Sequence, residues 1–312
     1  MFTENQRLLL QRFAPLIALV LLCVALTGLS PDFMTVGNWL NVLRQVSVNA
    51  LIACGMTLVI LLGGIDLSVG AILGLSSIVV GLMIQSGMDP MLATALGVLC
   101  GGLLGAFNGV LVTAGRVAPF IATLGTMTVL RGVSLVLSNG SPVTGLSSPF
   151  FDSLGGGYLF GVVPTPVLWL VLVFAVFIFV LRKTLLGRHI YACGGNEQAA
   201  RLSGVRVTRV KIWVYTLSGV LSAWAGIVLT SRLGSAQPTA GSGYELDAIA
   251  AVVLGGTSLS GGRGWVIGTL IGALLIGVLN NGLNLLGVPA FYQQVIKGAV
   301  ILLAVLADRR SK

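Results

Sequence analysis

The sequence has few charged residues and few of the side chains that carry out chemistry in enzymes. Of its 312 residues only 9% are charged, one is histidine (His189) and four are cysteines. The cysteines form no C-x-x-C pair and are interpreted as small hydrophobic residues rather than as metal ligands or disulfide partners. No G-x-x-x-x-G-K-[ST], H-E-x-x-H or G-x-S-x-G motif occurs. The sequence therefore predicts no catalytic residue, no metal site and no hydrolysis of ATP by this chain.

Apolar residues dominate what is present: 56% of the chain is hydrophobic, and the mean hydropathy is +1.01. Because a transmembrane helix needs about 20 apolar residues, this composition predicts an all-α polytopic membrane protein. We interpret residues 1–312 as one transmembrane permease domain with about ten transmembrane helices. The apolar runs lie near residues 13–30, 47–63, 68–86, 90–113, 118–138, 164–181, 212–230, 245–257, 265–287 and 290–306.

Basic residues outnumber acidic residues by eighteen to nine, which in a soluble protein might suggest a nucleic acid as partner. In a membrane protein the excess reports topology instead, because lysine and arginine concentrate in cytoplasmic loops. With both termini in the cytoplasm, most basic residues fall on that side, and no nucleic-acid partner is expected. The cytoplasmic set is Arg7, Arg12, Arg116, seven residues of segment 182–211, Arg263, Arg309, Arg310 and Lys312.

Segment 182–211 carries seven basic residues against one acid, Glu197, and is interpreted as a cytoplasmic coupling loop. Inside it the sequence predicts a very short helix with both ends marked. Asn196 is a candidate N-cap, Glu197 suits the positive end of the helix dipole, and Gly204 is a candidate C-terminal stop. Such a helix either docks a soluble partner or merely covers the bundle, and spacing alone leaves both readings open.

A short pattern occurs twice, as residues 62–70 (LGGIDLSVG) and 254–262 (LGGTSLSGG), and six predicted crossings separate the copies. Both copies should therefore lie on the same side of the membrane. Duplicated breaks in transmembrane segments point to a translocation path. Only three ionisable residues, Asp66, Arg131 and Lys297, are interpreted as embedded in the bilayer or nearly so, which is a poor basis for a proton relay. The more numerous hydroxyl and amide side chains suit either a neutral, hydroxyl-rich solute or interhelical hydrogen bonds.

Four stretches carry a family resemblance: Val59 to Gly70, Gly194 to Glu197 with Ala200 to Gly204, Ser235 to Gly256, and Asn280 to Gly287. They resemble the permeases of bacterial ATP-binding-cassette importers for ribose and related monosaccharides. The likeness runs from about residue 30 to the end of the chain. It implies a multi-pass protein of the bacterial inner (cytoplasmic) membrane with a fold like that of the vitamin B12 importer permease.

The resemblance also implies partners and a cargo. A periplasmic sugar-binding protein would deliver the sugar to two permease copies, most simply a homodimer, while a separate ATP-binding subunit would hold ATP and Mg. This chain itself would bind no cofactor. The implied cargo is D-ribose, with xylose, allose, galactose or a furanose-like signal molecule as alternatives. An ion-coupled secondary transporter is the rival from a different class.

The resemblance assigns coupling to the ATPase to eight residues: Gly194, Gly195, Asn196, Glu197, Ala199, Ala200, Arg201 and Gly204. Gln198 stands where the family pattern has its first alanine, which leaves a small face at Ala199 and Ala200. On the predicted outer side, the candidates for the entrance or the binding-protein contact are Gln237, Thr239, Tyr244 and Glu245. Candidates for the sugar path are Asn49, Asp66, Asn280 and Asn284.

Overall fold

The structure is a computed structural model that describes residues 4–310, with side chains for residues 14–300 and 302. The basic residues Arg7, Arg12, Arg309, Arg310 and Lys312 of the predicted cytoplasmic termini lie outside the described side chains. In the described residues, the regular secondary structure is helical apart from one two-stranded hairpin. Its elements are α1 (Glu4–Leu29), α2 (Val36–Leu61), α3 (Val69–Gln85), α4 (Pro90–Thr113), α5 (Pro119–Leu137), α6 (Pro149–Gly155), β1 (Tyr158–Leu159), β2 (Val163–Pro164), α7 (Thr165–Lys183), α8 (Leu185–Gly195), α9 (Glu197–Leu202), α10 (Val207–Leu233), α11 (Tyr244–Leu254), α12 (Val266–Leu285) and α13 (Ala290–Arg310).

Within the described residues, six helices are long and apolar enough to cross a membrane, namely α2, α4, α5, α7, α10 and α12. Two shorter apolar helices are α3 and the Ala14–Leu29 part of α1. The prediction of a helical, polytopic membrane protein is confirmed by these spans. Each predicted apolar run overlaps a helix, although a count of about ten crossings goes beyond the six spans.

The start of α2 was predicted wrongly. The helix begins at Val36, whereas the apolar run begins at residue 47, because polar residues such as Asn41 and Gln45 interrupt the first turns. Thr35 caps this early start, since its hydroxyl accepts a hydrogen bond from the backbone N–H of Asn38 at 3.4 Å. From residue 50 to residue 61 the helix is buried on every side, which makes α2 the centre of the bundle.

Glycines at every fourth position of α4 allow it to pack closely against its neighbours. They are Gly97, Gly101, Gly105 and Gly109, and all four are buried. A side chain at Gly101 would overlap Ala223 of α10, and one at Gly109 would lie 2.7 Å from the backbone of Ile212. Small residues that let helix backbones approach are the usual basis of helix association in membranes.

Three non-helical segments interrupt the bundle: residues 62–68 between α2 and α3, 234–243 between α10 and α11, and 255–265 between α11 and α12. Glycines in the left-handed region allow these turns, for example Gly63 at φ +77° and Gly256 at φ +84°. A fourth segment, 138–164, contains α6 and the antiparallel β1–β2 hairpin, in which Tyr158 pairs with Pro164. Irregular backbone at membrane depth is tolerated where it is buried in protein or lines a cavity.

Candidate functional site

The predicted short helix is present as α9, and its two end signals act as expected. The side chain of Asn196 accepts a hydrogen bond from the backbone N–H of Ala199 at 2.9 Å, which caps the N-terminus. At the other end Gly204 has φ +86°, and the N–H of Val205 donates to the carbonyl of Ala200 at 3.0 Å. This is the Schellman pattern of helix ends. Most of the predicted loop is thus helical, formed by the end of α7, by α8 and α9, and by the start of α10.

Glu197 ties α9 to the beginning of α10. Its carboxylate accepts from Lys211 Nζ at 2.7 Å and from Arg201 Nη2 at 3.1 Å. Both pairs are partly exposed to solvent, so they contribute little to stability. Only the Lys211 pair joins α9 to another helix, whereas the Arg201 pair lies within α9.

The exposed side of α9 differs from the predicted one. Ala199 is exposed, but Ala200 is only 6% exposed and packs into the core, because successive helical residues point about 100° apart. The small face of both alanines is therefore not formed. Leu202, which the sequence reading did not select, is 90% exposed and lies beside Gln198 and Arg201. The signal in the sequence that could have drawn attention to Leu202 is an apolar residue within a strongly polar segment.

A cleft of about 380 Å³ separates α9 from the end of α4 and the start of α10. Three cationic side chains, those of Arg116, Arg201 and Lys211, line it together with the carboxylate of Glu197. The cleft therefore has a net positive charge. Arg116 comes from the α4–α5 turn, far from the coupling segment in sequence, and was predicted only as a topology signal.

The two copies of the repeated pattern contact each other directly after α2 and α11; that they point the same way across the membrane stays a prediction. The N–H of Gly262 donates to the carbonyl of Leu61 at 2.9 Å. The end of α8 completes this contact, since a side chain at Gly194 would overlap the carbonyl of Leu61 and lie 2.6 Å from the nitrogen of Gly262. We call this three-way backbone contact, formed by residues 61–63, 194–195 and 261–262, the glycine junction. It joins the helix that precedes α9 to both repeats.

Asp66 is fully buried just before α3, and its hydrogen bonds connect this segment to neighbouring helices. Its carboxylate accepts hydrogen bonds from the hydroxyl and backbone N–H of Ser68 at 2.6 and 3.0 Å, and from the hydroxyl of Ser218 in α10 at 3.1 Å. Asn108 in α4 in turn donates to the hydroxyl of Ser68 at 2.7 Å. The arrangement holds the break after α2 against α4 and α10. A role for Asp66 in the sugar path stays a prediction.

The other predicted path residues do not come together. Asn49 donates to the carboxylate of Asp247 at 3.5 Å, and Lys297 pairs with the same carboxylate at 3.2 Å. Asn280 is buried in α12, whereas Asn284 is exposed and accepts a hydrogen bond from Gln293 at 2.8 Å. Asn49 and Asn284 thus link helices in this structure, as amides in membrane proteins commonly do, whereas the buried Oδ1 of Asn280 has no hydrogen-bond partner among the described residues.

Three of the four predicted entrance residues line one cavity of about 410 Å³, the outer cavity, between α2, the end of α10 and the start of α11. Its lining residues are Gln45, Val48, Leu229, Arg232, Leu233, Gln237, Thr239, Ala240, Gly241 and Tyr244. Glu245 is not among them; its carboxylate instead accepts from the backbone N–H of Gly243 at 3.2 Å. Gln45 and Arg232 were missed, because each lies near the end of a long helix and only folding brings it to segment 234–243.

The comparisons with known proteins agree with a transport role. The profile of the family described as branched-chain amino acid transport system / permease component matches residues 38–305. The ribose import permease protein of Bacillus subtilis is 58% identical, and the alignment covers 99% of this chain and 97% of that protein. Its counterpart in Escherichia coli K12 is 54% identical over 95% and 93% of the two chains. The D-allose transport system permease protein of Escherichia coli K12 is 42% identical over 98% and 94%. No solved structure matches the chain at a significant level.

Proposed function

The chain belongs to the family of transport-system permease components, and from that premise we propose that it is the membrane-spanning subunit of an ATP-driven importer of D-ribose. The observation that carries this proposal is the 54–58% identity to ribose import permease proteins over nearly the whole chain. The permeases for D-allose and L-arabinose are less similar, at 42% and 40% identity. Ribose is therefore favoured over the other sugars, and the chain is a transport subunit.

The surface around α9 is the proposed docking site for a separate ATP-binding subunit, which would bind ATP and Mg and carry out hydrolysis. Exposed Leu202 offers an apolar contact, and the adjacent cleft with Arg116 and Lys211 offers positive charge. The caps at Asn196 and Gly204 close both ends of this small helix. We therefore propose that it moves as one unit with the docked ATP-binding subunit. The proposed docking surface thus lies on the predicted segment 182–211, where Leu202 joins the predicted residues, and it also includes Arg116. Ala200 is buried beneath α9 and supports the helix.

The glycine junction is the proposed route from the docking site to the membrane. When the ATP-binding subunits close, α9 and α8 would move together, and Gly194 would displace the backbone at Leu61 and Gly262. Those residues follow α2 and α11 and precede α3 and α12, so the motion reaches four helices at once. Because the contact is backbone against backbone, it has no flexible side chain to absorb the displacement. A switch between discrete packings is the expected response.

The finer architecture is proposed in the same way. The helices α1, α3, α11 and α13 add to the six long spans to give ten crossings, with a fold like that of the vitamin B12 importer permease. Two identical copies in the bacterial inner membrane would enclose the sugar path between them. A periplasmic binding protein would deliver the sugar to this pair. Supporting this orientation, Arg116, Arg263 and the basic residues of segment 182–211 all lie on the side of α9.

The test is uptake of labelled D-ribose by proteoliposomes that contain the permease with its ATP-binding subunit, with the loaded binding protein outside. We expect uptake that requires ATP and the binding protein, with D-allose, D-xylose and D-galactose competing poorly. Uptake by the permease alone, driven by a proton or sodium gradient, would support a secondary transporter instead. Equal uptake of another sugar would reassign the cargo without changing the class.

A substitution at the docking surface tests the coupling proposal. We expect Leu202→Ala to reduce binding of the ATP-binding subunit about 10-fold, because burying a leucine side chain contributes about 1.5–3 kcal/mol and a tenfold change in affinity corresponds to about 1.4 kcal/mol. The matched control is Leu185→Ala, since Leu185 is also exposed (64%) but begins α8, away from the cleft. Co-purification and sugar-stimulated ATPase activity are the measurements. Equal behaviour of the two variants would remove Leu202 from the docking site.

A further inference from the structure

The outer cavity lies at the far end of α10 from the docking surface. Lys211, which pairs with Glu197, is near the first turn of this helix, and Arg232, which lines the cavity, is in its last turn. At 1.5 Å per residue the two positions are roughly 31 Å apart along the axis. That separation matches the hydrocarbon thickness of a bilayer, about 30 Å. If α9 faces the cytoplasm, the cavity therefore opens toward the external side.

The wall formed by segment 234–243 is held in place although it is not helical. Arg131 Nη1 in α5 donates to the carbonyls of Pro238 and Ala240 at 3.1 and 2.7 Å. Upstream, Val143 and Ala236 exchange two backbone hydrogen bonds of 2.9 Å. These contacts satisfy backbone groups that would otherwise be costly to bury. The cavity wall is thus a built surface rather than a loose loop.

The same contacts place polar side chains at the cavity. Gln237 and Thr239 stand on either side of Pro238, and Gln45 and Arg232 face them from α2 and α10. Within the part of the chain that the structure describes, the side chains of Gln45, Arg232 and Thr239 make no hydrogen bond. The lining contains amide, hydroxyl, phenol and guanidinium groups but no carboxylate. Groups that both donate and accept hydrogen bonds suit the hydroxyls of a neutral polyol, and Tyr244 adds an aromatic surface.

We propose that the outer cavity is a weak binding subsite for a neutral monosaccharide, occupied between release from the binding protein and passage through the membrane. This inference rests on the proposed import function and names Gln45, Arg232, Gln237, Thr239 and Tyr244 as its contact residues. A volume of about 410 Å³ lies within the usual range of small-molecule sites, about 300–1,000 Å³. Because the cavity is open and its lining mostly neutral, we expect weak binding of the sugar, which permits onward transfer.

The experiment measures sugar binding by the assembled complex without its binding protein. Saturation-transfer NMR with D-ribose on the permease and ATP-binding subunit in nanodiscs should give a titratable signal. Gln237→Ala and Thr239→Val should each weaken binding about 2- to 10-fold, the effect of losing one hydrogen bond. Gln85→Ala is the matched control, because Gln85 is an exposed glutamine at the end of α3 that does not line the cavity. It should bind as the unmodified chain does.

A second measurement separates a sugar subsite from a docking pocket. In uptake assays with increasing amounts of loaded binding protein, loss of a sugar subsite lowers the maximal rate while leaving half-saturation by the binding protein unchanged. If Gln237→Ala instead weakens binding-protein association and leaves sugar binding intact, the cavity receives a side chain of that protein and the proposal fails. Absence of a ribose signal from a complex that imports ribose also overturns it. Failure of the import function itself would appear as no ATP-dependent uptake by the unmodified complex.

Discussion

Asp66 illustrates how this chain uses a buried charge. Its carboxylate receives three hydrogen bonds, two from Ser68 and one from Ser218, and so satisfies the backbone N–H of Ser68 just before α3 and two buried hydroxyls. Charged groups inside membranes are costly unless they are paired or hydrogen-bonded, and they are commonly functional. Here the geometry favours a stabilising role at the break, because the direct partners come from the break and from α10, and Asn108 of α4 is linked through Ser68.

We therefore expect Asp66→Ala to lower the free energy of unfolding by more than about 2 kcal/mol, because several buried donors lose their acceptor. Asp66→Asn should be milder, since one amide oxygen still accepts. The melting temperature of the purified protein measures the effect, with Asp32→Ala at an exposed position as control. An Asp66→Ala protein with an unchanged melting temperature but no uptake would show that Asp66 belongs to the sugar path instead.

The sequence predicted local features of single residues well and their distant partners poorly. The caps Asn196 and Gly204 were found because each acts on backbone within five residues of itself. The burial of Ala200 was not found, because it depends on how α9 sits on the bundle. Similarly, Arg131 was recognised as an embedded charge, but its acceptors Pro238 and Ala240 lie more than one hundred residues away.

At the scale of whole elements, the glycine junction gives a more specific prediction than any single side chain does. Adjacent glycines at the end of α8 differ in their surroundings. A side chain at Gly194 would overlap the backbone of Leu61, whereas one at Gly195 would meet nothing within 4 Å. The pattern GG in the sequence gives no hint of this difference, because the distinction comes from residue 61, at the end of α2, and residue 262, in the second repeat.

We expect Gly194→Ala to impair ribose-stimulated ATPase activity and uptake at least about 10-fold, because the added methyl forces the junction apart. Gly195→Ala should remain close to the unmodified protein in both assays. Uptake and ATPase activity are measured on the same reconstituted samples, and gel filtration checks that each variant is folded. Should the Gly194→Ala protein fold and couple normally, the junction would not transmit motion.

The bounds of the helices could be predicted only as far as hydropathy reveals them. Runs such as 90–113 coincide with a helix, whereas α2 begins at Val36, before its apolar run, because a helix held among other helices tolerates polar turns. The break at 234–243 was predicted as the gap between the apolar runs 212–230 and 245–257, but the contacts that hold it were not. Its position is set by Arg131 and by glycines of α3, and no pattern within the segment reveals them.

Across the whole transporter, the proposed mechanism requires α9 and the outer cavity to face opposite sides of the membrane. Cys193 is the natural cysteine nearest to α9 in the chain, but it is a poor reporter of the side that α9 faces. Cys193 is only 4% exposed, and burial, reinforced by the nearby carboxylate of Glu197, raises the pKa of its thiol although Lys211 acts in the opposite direction. Since the thiolate is the reactive form, Cys193 should react slowly at neutral pH and faster only as pH rises.

Two exposed glutamines provide better reporters, Gln198 on α9 and Gln85 at the other end of the bundle. With a membrane-impermeant maleimide at pH 7, we expect Gln198→Cys to react in inside-out vesicles and Gln85→Cys in right-side-out vesicles. The unmodified chain, which keeps Cys193, corrects for background in both. Labelling of Gln198→Cys from the external side would place α9 where no ATP-binding subunit can reach it. In that case the basic cleft and the glycine junction would have no nucleotide-driven motion to transmit, and an ion-coupled mechanism would have to replace the proposed one.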